Sequence, residues 1–113
     1  MGLDISHDCW HGSYVSFGQW RKRLATSIGI DLESMEGFVP EWKKDVVPTS
    51  WESLPPHPLH ILLHHSDCDG SIHWRKALPL AEALEARPMD GCAQTFAKGL
   101  RKAYAEKKSV LFR

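Results

Sequence analysis

Two short stretches of the chain combine histidine, aspartate and cysteine in nearly the same order. The first, SHDCWHGS, begins at Ser6, and the second, HHSDCDGS, begins at His64. Imidazoles, thiolates and carboxylates are the side-chain groups that bind divalent metals or transfer protons. The recurrence therefore predicts one shared polar site. We expect its ligand-binding residues to be His7, Asp8, Trp10, His11, His65, Asp67, Asp69 and Trp74.

A divalent metal ion such as zinc or manganese is one ligand that such a site could take. The candidate metal ligands are His7, His11, His65 and Asp67. Their spacing matches no strong template, because neither a Cys-x-x-Cys pair nor a His-Glu-x-x-His run occurs. A calcium loop starting at His65 also fails, since Lys76 stands where that loop needs a glutamate. The predicted site therefore requires no metal or other cofactor.

Enzymatic chemistry is the alternative. HSDCDGSI resembles the His-x-Asp-x-Asp-Gly stretch of the DHH phosphoesterases, in which aspartates hold manganese and water attacks phosphorus. The resemblance is confined to this stretch, and the other aspartate and histidine motifs of that family are missing. It implies a metal-dependent hydrolase or phosphoesterase using the same groups. Nucleophilic attack by Cys9 or Cys68 beside a histidine ranks below it.

A non-catalytic pocket needs fewer coincidences than an enzyme. Trp10 and Trp74 flank the two stretches and could stack on a planar ligand. Arg21, Arg23 or Arg75 could meet a phosphate group. The same residue types also have ordinary structural uses, since tryptophans pack in cores and aspartates cap turns. We therefore expect a binding protein rather than an enzyme.

The composition is that of an ordinary globular domain. The chain has 113 residues, 42% of them hydrophobic and 25% charged, with fourteen basic and fourteen acidic side chains. This balance gives no field that would attract nucleic acid, and no apolar run is long enough to span a membrane. Three cysteines without an export signal predict reduced thiols in a cytoplasm. One domain is expected over residues 1–113.

Hydrophobic spacing predicts the elements that position the first stretch. GLDIS, from Gly2, is typical of a buried strand, and HDCWHGS would be the loop after it. Apolar residues three and four apart between Tyr14 and Ile28 predict an amphipathic helix. Ser13 suits the N-cap of this helix, and Gly29 suits its carboxyl end.

The second stretch follows LHILLHH, which begins at Leu59. A helix would place His60 and His64 on one face, as in a metal-binding helix, but the short run after Pro58 favours a strand. If the two predicted strands are parallel, their carboxyl ends lie at one edge of the sheet, where ligands tend to bind. HDCWHG and HSDCDG would then be neighbours.

The remaining segments complete a small domain. Residues 31–58 form an irregular, proline-rich excursion, in which we expect a helical turn from Ser50 to Leu54. Trp42 and Trp51 are expected to anchor this excursion on the domain.

Two helices and a strand are predicted for the rest of the chain. One helix should begin near Leu78 or Pro79, another should follow Asp90, and SVLF should be a terminal strand. The order of elements predicts an α/β fold, or a mixed α+β fold. Its sheet would have two to three strands, with about three helices packed on it.

Four stretches together resemble a family of small proteins encoded by bacteriophages and prophages. They are GLDISHDCWHGSYVSFGQWRKRLA, PLHILLHHSDCDGSI, PLAEALE and FAKGLRKAYAEKKSVLF. The resemblance covers nearly the whole chain except the proline-rich excursion, and it implies expression in the cytoplasm of an infected bacterial host. It carries no catalytic role. Because small phage proteins often act by binding, it implies sequestration of a nucleotide-like host defence signal, or blocking of a host protein.

Overall fold

The computed structural model describes residues 2–40, 42–43, 45, 47–65 and 70–112. Within those ranges it contains four α-helices and two small antiparallel sheets of two strands each. This arrangement confirms the predicted class of a small mixed α/β fold. Four residues of the second polar stretch, Ser66, Asp67, Cys68 and Asp69, lie outside the described residues.

The chain begins with a β-hairpin. Strand β1 (Gly2–Ile5) pairs antiparallel with β2 (Trp10–Ser13), so that Ile5 lies opposite Trp10. The prediction that HDCWHGS is entirely a loop was therefore wrong. Only Trp10 of β2 is buried, so the strand lacks the apolar alternation that reveals a strand in sequence.

The two strands are joined by residues 6–9. His7 and Asp8 both have left-handed backbone angles, with φ of 61° and 57°. The Cys9 N–H donates to the Ser6 carbonyl oxygen at 3.3 Å. Positive φ at both central residues is the pattern of a type I′ turn, which usually carries Asn-Gly.

Helix α1 (Tyr14–Ser27) confirms the predicted amphipathic helix. Ser13 Oγ accepts the Ser16 N–H at 3.0 Å, as expected of an N-cap. Gly29 follows the helix with φ of 78°, a conformation that glycine adopts at little cost. The buried face of this helix consists of Phe17, Trp20, Arg21, Leu24 and Ala25.

Helix α2 (His60–Leu63) is a single helical turn where we predicted a strand. Leu59, Leu62 and Leu63 are fully buried, and their spacing of three and four is helical. So short a run cannot distinguish the two periodicities in sequence. The predicted parallel pairing of two strands is wrong as well, because β1 pairs with β2.

The excursion between α1 and α2 has little regular structure. Short 3₁₀ turns occur at Leu32–Ser34 and Trp51–Ser53, and Ser50 caps the second turn, which confirms that prediction. Trp51 packs partly buried against the domain. Trp42 is 76% exposed, so the prediction that it anchors the excursion was wrong.

Helices α3 (Trp74–Glu85) and α4 (Gly91–Glu106) pack against each other. α3 begins before the predicted Leu78, because His73 Nδ1 caps its first turn, and Pro79 lies inside the helix. α4 follows Asp90, as predicted. Of the helices in the described ranges, none is long and apolar enough to cross a bilayer.

The chain closes with a second small sheet. Strand β3 (Ser71–Ile72) pairs with β4 (Val110–Leu111), which confirms the predicted terminal strand. A bridge between Ile5 and Phe112 joins this sheet to the hairpin.

Aromatic side chains connect these elements in the core. Trp20 of α1 stacks on Trp10 with ring centroids 5.4 Å apart and packs on Phe96 of α4 at 5.5 Å. The Trp20 Nε1–H donates to Asp90 Oδ2 at 3.0 Å. The hairpin, α1 and the start of α4 therefore share one packed centre.

Candidate functional site

His11 lies between two carboxylates on the exposed face of the hairpin. Its Nδ1 is 2.9 Å from Asp4 Oδ1, and its Nε2 is 2.9 Å from Asp8 Oδ1. The hydrogen bond to Asp4, followed by that to Asp8, raises the pKa of His11 above its usual range. The hydrogen bond from His11 in turn lowers the pKa of Asp8. Because the carboxylates occupy different ring nitrogens, the three groups do not converge on one ion.

His7 is held by its neighbours. Its Nδ1 lies 2.9 Å from Ser6 Oγ, and its Nε2 lies 3.5 Å from Glu106 Oε1 on α4. With both ring nitrogens engaged, this histidine fixes the turn against the helix. A shallow polar concavity of about 360 Å³ on this side is lined by residues 4–8 and 11.

Cys9 is buried beneath the same turn. Burial, together with the nearby Asp8 charge, raises the pKa of the Cys9 thiol to about 12. A thiol with this pKa is protonated at neutral pH, so it is a poor nucleophile and a poor metal ligand. Cys68, the other candidate nucleophile, lies outside the described residues.

The turn packs directly on α4 at Gly99. A Cβ at Gly99 would overlap Cys9 Sγ and would lie 2.6 Å from the His7 carbonyl oxygen. Only a residue without a side chain permits this approach. A glycine within an apolar helical pattern was the sequence signal for this contact, and sequence reasoning missed it.

The described part of the second stretch is held in place by side chains from other elements of the fold. The His65 ring stacks on Phe112 with centroids 4.0 Å apart, and His65 Nε2 lies 3.1 Å from the Ser71 carbonyl oxygen. Arg21 Nη1 donates to the carbonyl oxygens of Leu62, Leu63 and His65 at 3.4, 3.3 and 2.5 Å. Arg21 is 4% exposed, so the expectation that it could meet a phosphate was wrong.

The two polar stretches reach the same terminal strand from different sides. The Ser6 N–H donates to the Leu111 carbonyl oxygen at 2.9 Å, and the Leu111 N–H donates to Ser6 Oγ at 2.8 Å. The Phe112 N–H donates to the Gly70 carbonyl oxygen at 3.0 Å. β4 therefore lies between the stretches, and His65 does not line the polar concavity of the first.

Metal-binding groups do not cluster in the described part of the chain. No group of three or more histidine, cysteine, aspartate or glutamate side chains there is placed to hold a metal ion. Asp67 and Asp69 lie outside that part, so their predicted roles stay predictions. Trp74 packs on Tyr104 of α4 with centroids 5.8 Å apart.

A large open groove lies beside the first stretch, and we call it the Trp10 groove. It has a volume of about 1040 Å³. Residues 9–11 of the hairpin, residues 23, 24 and 27 of α1, and residues 87–92 and 95 around the start of α4 line it. It contains Trp10 and His11 from the predicted site but neither His65 nor Trp74.

The floor and rim of the Trp10 groove are largely apolar. Trp10 and Leu24 are buried beneath it, while Met89 at the rim is 96% exposed. A methionine rim suits a variable apolar surface because the side chain is flexible and polarizable. Sequence reasoning missed Met89, since it lies in a short loop without periodicity.

Positive charge predominates among the free charged groups of the groove. Arg23 is exposed and forms no ion pair within the described ranges. Arg87 is fixed, since its Nη2 donates to Ser27 Oγ at 2.5 Å. The Asp90 carboxylate accepts hydrogen bonds from the Ala93 N–H and from the Trp20 indole, both at 3.0 Å, which offsets its charge. The groove therefore suits an anionic group beside an apolar surface.

No protein-family model, curated protein or solved structure matches the chain. The function is therefore inferred from the chemistry of the described residues. The Trp10 groove combines a volume of about 1040 Å³ with an apolar floor and with the guanidinium of Arg23, which forms no ion pair with any described residue.

Proposed function

We propose that this protein is a binding protein whose ligand occupies the Trp10 groove. The ligand carries a negative charge and a flat or apolar part. The observation that carries the proposal is the pairing of Arg23 with the apolar floor formed by Trp10 and Leu24 in one open concavity. Ligand sites are commonly apolar clefts with a few placed polar groups, which is the composition of this groove.

Arg23 is the residue that would bind the anionic group. A guanidinium offers paired N–H donors whose geometry matches a phosphate or a carboxylate. Arg87 is already committed to Ser27 and to the Ala83 carbonyl oxygen, so it adds positive potential without needing to move. The apolar floor would exclude water from one side of the ligand and strengthen this pairing.

Binding is favoured over catalysis by the state of Cys9 and His11, two of the reactive groups that line the groove. Cys9 keeps its proton at neutral pH because burial raises its pKa to about 12. His11 has both ring nitrogens engaged by carboxylates, so neither is free to accept a proton from a ligand.

Two kinds of ligand share this chemistry. A nucleotide-like signal has a flat base and phosphates, and an acidic segment of a host protein has apolar and carboxylate side chains. Both agree with the resemblance to phage-encoded proteins, in which sequestration of a defence signal or blocking of a host protein is the implied role.

A ligand panel with one charge reversal tests the proposal. AMP and cyclic di-AMP represent the nucleotide source, and the peptide acetyl-Phe-Glu-Glu amide represents the protein source. Binding is followed by thermal shift and by titration calorimetry. Arg23→Glu should weaken a bound ligand by about tenfold or more, since it removes a charge-assisted hydrogen bond.

Lys98→Glu is the matched control, because Lys98 is exposed on α4 and does not line the groove. Equal weakening by both variants would mean that only the overall charge matters, and it would overturn the proposal. A panel in which nothing binds would overturn it as well. A ligand recovered chemically altered would point instead to the hydrolase alternative.

A further inference from the structure

We propose a second binding site, specific for oxyanions such as phosphate or sulfate groups, in a cleft lined by three histidines and a lysine. We call it the histidine cleft. It is a concavity of about 470 Å³ between the segment before α2, α2 itself and α3. It shares no lining residue with the Trp10 groove, so it stands independently of the function proposed above. Its polar residues are His57, His60, His64 and Lys76.

The fold brings these side chains together in a way that the predicted strand would not. Because α2 is helical, His60 and His64 lie one turn apart and both contact the Trp51 ring, with centroids 5.4 and 5.5 Å away. The His57 ring centroid lies 6.0 Å from that of His60. Lys76 reaches the cleft from the first turns of α3.

Among the residues that the structure describes, no acidic side chain lines the histidine cleft, and this is the observation that points to an anion. Its remaining lining residues are Pro56, Pro58, Ile61 and Pro79. Lys76 forms no ion pair with any residue that the structure describes. Lys76 and two histidines that can become cationic, His60 and His64, therefore share a concavity in which the described residues place no opposite charge. A bound oxyanion would supply that charge.

The donors of the cleft suit an oxyanion more than a metal ion. His57 Nδ1 accepts the Leu59 N–H at 3.1 Å, so the proton of a neutral His57 lies on Nε2. That nitrogen is then a hydrogen-bond donor and not a metal ligand. The cleft is also not among groups placed for metal binding, since none occurs in the described residues. Lys76 adds a further donor with no acceptor function.

The charge of the cleft depends on pH. Burial lowers the pKa of His60, and so do the neighbouring His57 and His64 charges. Within the described ranges, Lys76 from α3 is the other charged group that lines the cleft, and Trp51 and the prolines carry no charge. An anion would favour the protonated histidines, so its affinity must rise as the pH falls.

Sulfate is the probe, because its charge stays constant across the histidine range and any pH dependence then belongs to the protein. Binding is measured by amide and histidine NMR shifts at about pH 5.5 and about pH 8, on either side of the ordinary histidine pKa, with chloride at equal ionic strength as reference. We expect binding about tenfold tighter at the lower pH, which a Coulomb interaction at contact distance can supply. Sulfate should also raise the pKa of His60.

Two variants and one control complete the test. His60→Gln and Lys76→Gln should each weaken sulfate binding. Lys108→Gln should not, because Lys108 is an exposed lysine just after the end of α4 and does not line the cleft. Circular dichroism at both pH values checks that every variant is folded. Equal binding at both pH values, or wild-type binding by both cleft variants, would overturn the proposal. Zinc, rather than sulfate, perturbing the histidine rings would do so as well.

Discussion

The two polar stretches share their residue types but are held in place by different means. SHDCWHGS forms its own turn and half of a hairpin, so neighbouring residues set its backbone conformation before α4 and β4 pack against it. The described part of HHSDCDGS is held by Arg21 from α1 and by Phe112 from the end of the chain. A recurring set of residues is therefore no evidence of a recurring structure, since local and distant contacts can position the same groups differently.

The largest effect on stability should come from replacing Arg21, which tests how the second stretch is held. Arg21→Met removes the donor to the His65 carbonyl oxygen of the second stretch and to the carbonyl oxygens of Leu62 and Leu63 just before it. It also removes the guanidinium stacked 4.8 Å from the Phe17 ring centroid. We expect the free energy of unfolding to fall by about 3 kcal/mol, because buried acceptors lose their partner. Urea unfolding measures this.

Arg23→Met is the control for that experiment, since the Arg23 side chain is exposed two residues further along α1. It should change the free energy of unfolding by less than about 0.5 kcal/mol. Similar losses in both variants would mean that Arg21 has no special part in holding the second stretch.

Adding a side chain at Gly99 should also destabilise the protein, by less than the replacement of Arg21, and should disturb the first stretch. Gly99→Ala forces Cys9 and the His7 carbonyl away from α4, because the new Cβ would overlap them. Overpacking of this kind costs about 1–3 kcal/mol.

Gly18→Ala in α1 is the matched helical control, since nothing lies within 4 Å of its added Cβ. That variant should gain about 0.5–1 kcal/mol from the lower entropy of its unfolded chain. Thermal unfolding of the pair, together with the amide shifts of residues 6–9, separates the outcomes. Gly99→Ala as stable as Gly18→Ala would contradict the close packing of turn and helix.

The elements with local signals could be predicted from the sequence. α1 and α4 have capping residues and apolar faces that their own residues reveal, as Ser13 and Asp90 illustrate. The strand β2 was missed because His-Asp is an unusual pair for a type I′ turn. α2 was missed because one helical turn becomes stable only with tertiary partners such as Arg21.

The candidate site was predicted only in part, and for a related reason. Trp10 and His11 were expected to bind a ligand, and both line the Trp10 groove. Arg87 and Met89 were not expected, because the groove forms where three elements distant in sequence meet. No periodicity or motif in a single segment reports such a concavity.

Redesigning the turn of the first stretch should raise the free energy of unfolding slightly. His7→Asn with Asp8→Gly replaces two left-handed residues by a pair that adopts those angles readily. We expect a gain of about 1 kcal/mol. It is offset in part by loss of the exposed Asp8–His11 contact and of the contacts of His7 with Ser6 and Glu106. Chemical denaturation measures the gain. A loss of stability would show that His7 and Asp8 hold the turn through their side chains.

The smallest expected effect on stability comes from the ionisation of His11 and His60. Their titrations compare the two regions directly. The pKa of His11 is raised by Asp4 and then by Asp8, so its stabilising effect is present at low pH and is lost as the pH rises through its folded-state pKa. The pKa of His60 is lowered by burial, so its contribution is present at higher pH and is lost as the pH falls through its own folded-state pKa.

NMR titration of the two rings should therefore give midpoints on opposite sides of the ordinary histidine value. Asp4→Asn should move the His11 midpoint down and leave that of His60 unchanged, since Asp4 acts on His11 alone of the two. Midpoints that coincide in the unmodified protein would remove this distinction between the regions.

The link between Ser6 and Leu111 joins residues that are 105 positions apart. During synthesis the hairpin leaves the ribosome long before the strand that covers its second edge. Until residues 110–112 arrive, Ile5 and its main-chain groups form an open strand edge of the kind that promotes aggregation. Closure of so distant a pair is also slow compared with helix formation. The synthesis of residues 110–112 thus determines when the hairpin becomes safe from misassembly.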